Sequence, residues 1–178
     1  MGYSQDARLT PTYDWFLDNQ HTDGGWRCNS LKFGKGPETD FSNPGPTLTA
    51  LDVFRFTPFL NANEQLDKAV EFLLKHWEPR APLGPCHYGI GTLFMQVEFP
   101  MFRYNLFHYV YTLSFYEKAK NDPRFRAALG VLSSKLVDGM IVIENPNRKL
   151  ANYEFCKKAA KSEIATKRYR EVLKNIGE

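Results

Sequence analysis

A chain of 178 residues with 43% hydrophobic content reads as a single domain over residues 1–178, large enough to bury roughly 70% of its unfolded surface. It has no apolar run of about 18 residues, so no membrane span is expected, and the polar opening Met1 to Thr10, with Asp6 and Arg8, lacks the pattern of a secretory signal. The net charge is +3, and 15% of the residues are aromatic, unevenly placed along the chain.

Taken in chain order, the first predicted helix covers about 10–20 and stops at Gly24-Gly25, since glycine tolerates the left-handed conformation a chain needs on leaving a helix. Gln20 can satisfy orphan backbone groups at that end, and Trp26 can cover the joint with an apolar face. A second helix spans 47–57, opened by Pro46-Thr47 and ended before Pro58. Residues 64–77 carry a clear stripe of Leu66, Ala69, Val70, Leu73, Leu74 and Trp77, with Asn61 and Glu64 in the spacing of a capping box. This helix is polar on one face and should lie outside.

A helix over 102–120 holds Phe102, Tyr104, Phe107, Tyr109, Tyr111, Phe115 and Tyr116, with Leu106, Val110 and Leu113 between them. A helix apolar on every side should be buried on every side. Asp122-Pro123 starts the next, with Phe125, Ala128, Leu129, Leu132 and Leu136 running to Gly139 as a C-cap. Met140–Ile143 has strand character but is too short to set the fold. Ser162 caps a last helix with Ala165, Tyr169, Val172, Leu173 and Ile176 on one side.

Thr47, Asn105 and Ser162 open three of these helices at intervals of 58 and 57 residues, each after a striped helix and a long loop. The expected fold class is therefore all-α, with three outer–inner α-hairpin repeats. The charge is divided as well. Residues 148–178 hold nine Lys/Arg and four Glu, and the remainder holds 14 basic and 16 acidic residues. The basic end suits an acidic partner, or is a solvated helix face of mixed charge. Nucleic acid rests on this tail alone and is not the expectation. Cys28, Cys86 and Cys156 are odd in number and far apart, which argues for reduced thiols and a cytoplasmic protein.

Phe16, Gln20, Gly24 and Trp26 together form aromatic-x-x-x-Gln-x-x-x-Gly-x-Trp. This resembles the QW motif of the squalene cyclase and protein prenyltransferase superfamily, a structural clamp at the end of an outer helix. The resemblance implies a partial α/α toroid. Phe72 and His76 occupy the aromatic and Gln positions of the second turn, and Leu132, Leu136 and Gly139 those of the third, so only the first turn carries the full motif. Three hairpins make half of the family's ring. That implies a piece of a longer protein, a homodimer or other partner completing the ring, or an open arc.

The segment from Phe107 to Ser114 is similar to the one around the zinc-binding histidine of protein prenyltransferase β subunits, which implies His108 as a ligand facing a central cavity. The family's paired Asp-x-Cys does not occur in this chain, so a metal would need other donors such as Cys86, His87 or Cys28. No metal or cofactor is therefore expected. The Asp-x-Asp-Asp acid of the cyclases does not occur either. Two isolated carboxylates, Asp52 and Glu98, are candidates to line a cavity; the alternatives are solvent, or pairing with Arg55 or Arg103. Tyr104, Phe107, His108, Tyr111 and Phe115 share one face at helical spacing and, with Asp52, are the candidate ligand-binding set. They line a cavity, as such faces do in the cyclases, or they are core. The expected function is binding of an isoprenoid or other apolar molecule by a prenyltransferase- or terpene-cyclase-like protein, with no reaction identified. The alternative is a non-catalytic scaffold that binds a protein through its concave face or basic C-terminal helix.

Overall fold

The computed structural model describes residues 3–28 and 41–178. The chain is predominantly helical, with, among the described residues, α1 (Thr10–Asp18), α2 (Pro44–Phe54), α3 (Glu64–Trp77), α4 (Thr92–Met95), α5 (Leu106–Leu113), α6 (Glu117–Lys120), α7 (Pro123–Ser133) and α8 (Glu163–Asn175), and one antiparallel pair of strands, β1 (Leu136–Val137) and β2 (Met140–Ile141). α5 packs against α2, α7 and α8. α3 packs on α2 and reaches α6 and α7, while α8 rests on β2.

Surrounded in this way, α5 has all eight of its residues buried, as its apolar perimeter predicts. α3 turns Leu66, Ala69, Val70, Leu73, Leu74 and Trp77 inward along the expected stripe. Its cap is Asn63, not Asn61. Asn63 Oδ1 accepts from the Gln65 amide at 2.8 Å. Asn61 instead sits at φ 58 and bridges to another segment, donating to the Phe115 carbonyl and accepting from the Glu117 amide. It thus caps α6, which follows the end of α5.

The predicted 102–120 helix is consequently two helices. Asn105 caps the first through the His108 amide, and Tyr116, in extended conformation, separates it from the second. α2 begins at Pro44 rather than Thr47, so the first interval of the repeat is longer than expected. Asp122 caps α7 as predicted, but the helix stops at Ser133. Gly139 is not its C-cap. Asp138 (φ 50) and Gly139 (φ 71) form the two-residue turn of a tight hairpin that pairs Leu136 with Ile141. The hairpin then receives α8: the Ser162 amide donates to the Ile141 carbonyl and the Ile141 amide to Thr166 Oγ1.

The end of α1 is a clamp. Trp26 Nε1 donates to the Phe16 carbonyl at 2.7 Å, and its ring stacks on Phe54 and meets Phe16 edge-on. Gln20 Nε2 donates to the carbonyls of Gly24 and Gln65, and Gln65 Nε2 returns a bond to the Leu17 carbonyl. Asp23 accepts from both the amide and the hydroxyl of Ser42. One turn therefore joins the end of α1 to the first turn of α3 and to the entry of α2. His76, at the position corresponding to Gln20, also binds a backbone carbonyl, that of Ala81.

Candidate functional site

α2 and the segment leading into α5 line a cleft of about 650 Å³. Its lining includes Thr49, Ala50 and Val53 of α2, and Tyr88, Leu93, Phe94, Phe102 and Tyr104 of the later segment. Glu98, Arg103, Asn105 and Asn145 add polar groups. The lining is mainly apolar with a few polar groups, the usual make-up of a small-molecule site.

Backbone pairing holds the segment around Glu98 in place. The amides of Glu144 and Asn145 both donate to the Val97 carbonyl, and the Val97 amide donates to Glu144 Oε2. Lys135 Nζ donates in turn to that carboxylate at 2.9 Å. Glu98 follows directly and is only 2% exposed. Its Oε2 pairs with Arg103 Nε at 2.7 Å, while the Arg103 side chain remains 58% exposed. Oε1 has no hydrogen-bond partner among the described residues.

Of the six predicted ligand-binding residues, only Tyr104 lines this cleft. It is half-buried, with its hydroxyl donating to His76 Nδ1 at 2.9 Å and its ring stacked on that imidazole. Burial pushes its phenol well above the ordinary value. Phe107 is fully buried against Phe99. His108 is buried, and its Nδ1 donates to the Arg103 carbonyl. Tyr111 donates to Glu171 Oε2 at 2.8 Å, and burial, then that bond, pushes its pKa up to about 12. Phe115 meets the Tyr111 ring edge-on.

Asp52 pairs with Arg55 at 2.7 Å and accepts from Thr112. It lines a second cavity, of about 700 Å³, with Arg55, Phe56, Arg168 and Glu171. Arg55 and Arg168 lie over the Tyr111 ring at 4.9 and 5.7 Å. Both carboxylates singled out in the sequence therefore line cavities, and each is paired with the arginine the sequence offered it.

The candidate metal donors are divided. His87 is exposed at the cleft, and His108 lies inside the core. Cys86 lies against Cys28; burial first, then that neighbour, pushes the Cys86 thiol up. Among the described residues no group of three or more His, Cys, Asp or Glu stands close enough to hold a metal ion. Nor, among them, is any helix long and apolar enough to cross a membrane.

Two histidines are expected to make stability depend on pH. Burial lowers the pKa of His108, against the pull of Asp52, and burial lowers that of His76, against its carbonyl partners. His76 Nε2–H donates to Ala81 while Nδ1 accepts from Tyr104, an arrangement that needs the neutral ring. Unfolded, both bind protons near 6.5, so their contribution is complete above that value and is lost as pH falls through the lower folded values. The expected result is a falling urea midpoint between about pH 7 and pH 5, above the range where carboxylates titrate. A flat midpoint across that window would mean that the two rings are not held neutral.

Sequence reasoning missed Tyr88, Leu93, Phe94 and Phe102. They lie in loops or a single helical turn, where no periodicity marks them; the available signal was the density of large apolar residues between Tyr88 and Phe102. Compared with known proteins, the chain matches no family model and no curated protein.

Proposed function

We propose that this protein binds a largely apolar small molecule of the isoprenoid class in the cleft between α2 and the segment preceding α5. The observation that carries this reading is the cleft itself. About 650 Å³ is within the range of small-molecule sites, and Val53, Leu93, Phe94 and Phe102 give it apolar lining beside a few polar groups. The clamp at Gln20 and Trp26 and the contacts of α5 with α2 and α8 support a layout of outer–inner hairpins in a partial α/α toroid. We assign binding and no reaction.

Leu93 tests the reading because it lines the cleft yet is 70% exposed, so the fold does not depend on it. Leu93→Glu is expected to weaken binding of an added isoprenoid by about tenfold or more, since a charge must then be desolvated against the ligand. Native mass spectrometry of the protein with and without farnesol is the measurement. Unchanged occupancy in the variant would remove the cleft from the binding site.

A second reading has one observation in its favour. Val53, Leu93 and Phe102 on the cleft and Phe56 beside the second cavity are exposed apolar residues, suited to docking a protein or a second copy of this chain. The same spectra distinguish it: a ligand-free dimer, or a monomer that takes up no apolar molecule, favours the scaffold.

A further inference from the structure

Glu98 narrows the class of molecule that this cleft accepts, given the binding reading above. The residue lines the cleft, is only 2% exposed, and holds Arg103 through Oε2 alone. Oε1 has no partner among the described residues. A buried acceptor left without a donor is costly, and one on a charged group more so. Three residues that line the cleft direct their donors elsewhere. Tyr104 donates to His76, Asn105 Nδ2 to the Arg103 carbonyl, and Thr49 to the Gly45 carbonyl.

The charge of Glu98 already has its counterion at 2.7 Å, so the missing partner is a donor and not a second cation. An anionic head group is disfavoured because it would approach a buried carboxylate. We propose that the ligand is an apolar molecule carrying a neutral hydrogen-bond donor, an alcohol, whose hydroxyl donates to Glu98 Oε1, and that this site discriminates against the corresponding diphosphate.

The test is calorimetric titration of the full chain with farnesol, farnesyl methyl ether and farnesyl diphosphate. The ether keeps the apolar body and lacks the donor. Farnesol is expected to bind about tenfold or more tighter than the ether, the usual weight of a hydrogen bond to a charged group, and tighter than the diphosphate. Glu98→Met fills the same space without an acceptor and leaves Arg103 its solvent contact, so alcohol and ether should then bind alike. Glu98→Gln, which keeps the shape and a neutral acceptor, should narrow the preference.

Equal binding of alcohol and ether by the unaltered protein would overturn the inference while leaving apolar binding intact. So would a preference that survives in Glu98→Met, or tightest binding of the diphosphate. The alcohol–ether comparison needs no variant, so it decides the matter even if Glu98→Met does not fold. Failure of all three compounds to bind the unaltered protein would overturn the cleft reading, and this inference with it.

Discussion

Trp26→Ala is expected to destabilise the protein by about 3–5 kcal/mol, the range for removing a large aromatic side chain from a packed interior. The ring is 4% exposed and fills the joint between Phe16 at the end of α1 and Phe54 at the end of α2. The substitution also removes the bond from Nε1 to the Phe16 carbonyl, a group near a helix end with few other partners. Trp26→Phe should recover much of the packing and leave a deficit of about 1 kcal/mol for the lost hydrogen bond. Trp15 supplies the control. It is 49% exposed on α1, and its replacement by alanine should cost well under the value for Trp26. Urea unfolding of the three variants checks this, and a loss below about 1 kcal/mol for Trp26→Ala would mean that the clamp does not hold α1 to α2.

Gly24→Ala is expected to cost about 2–4 kcal/mol, from two sources that act together. The residue sits at φ +97, where an L side chain is strained, and an added Cβ would stand 2.6 Å from the Lys68 carbonyl oxygen. That oxygen belongs to the backbone of α3 and cannot swing aside, so either α3 or the turn must move. Movement there would also pull on the bonds from Gln20 to Gly24 and Gln65. Gly130 provides the contrast within the same chain. It lies in α7 with nothing within 4 Å of an added Cβ, so Gly130→Ala should leave stability unchanged or raise it by up to about 1 kcal/mol. Thermal unfolding of the two variants should move in opposite directions. A neutral Gly24→Ala would show that the turn tolerates a side chain and that its close approach to α3 is not structurally required.

The helices were legible where burial follows a period within one segment. The stripe of α3 and the caps Asp122 and Ser162 lie where the sequence indicates. The all-round apolar character of Leu106–Leu113 corresponds to a helix enclosed by three others. Element ends were less legible, since they depend on distant partners. Asn61 resembles the cap of α3 when only its neighbours are considered, but its side chain binds Phe115 and Glu117, more than fifty positions away. Asp138-Gly139 did carry a local signal, the dipeptide of a tight hairpin, which the continuing apolar pattern through Leu136 obscured.

The candidate site divides in the same way. Helical spacing places Tyr104, Phe107, His108, Tyr111 and Phe115 together, yet of these only Tyr104 lines the cleft beside α2, and hydrogen bonds to the Arg103 carbonyl and to Glu171 hold His108 and Tyr111. By itself the sequence determined a mainly helical chain, the glycine and tryptophan turn after α1, and the two carboxylate–arginine options at Asp52 and Glu98. Those features depend on residues close to one another along the chain, where backbone geometry and side-chain periodicity act directly. Only the tertiary structure decided that Val53, Leu93 and Phe94 line one cleft, that Cys28 meets Cys86, and that Glu98 is buried with one oxygen lacking a donor among the described residues. The physical reason is that loop residues have no period of their own. Their positions follow from the helices they join and from backbone pairing such as that of Val97 with Glu144 and Asn145.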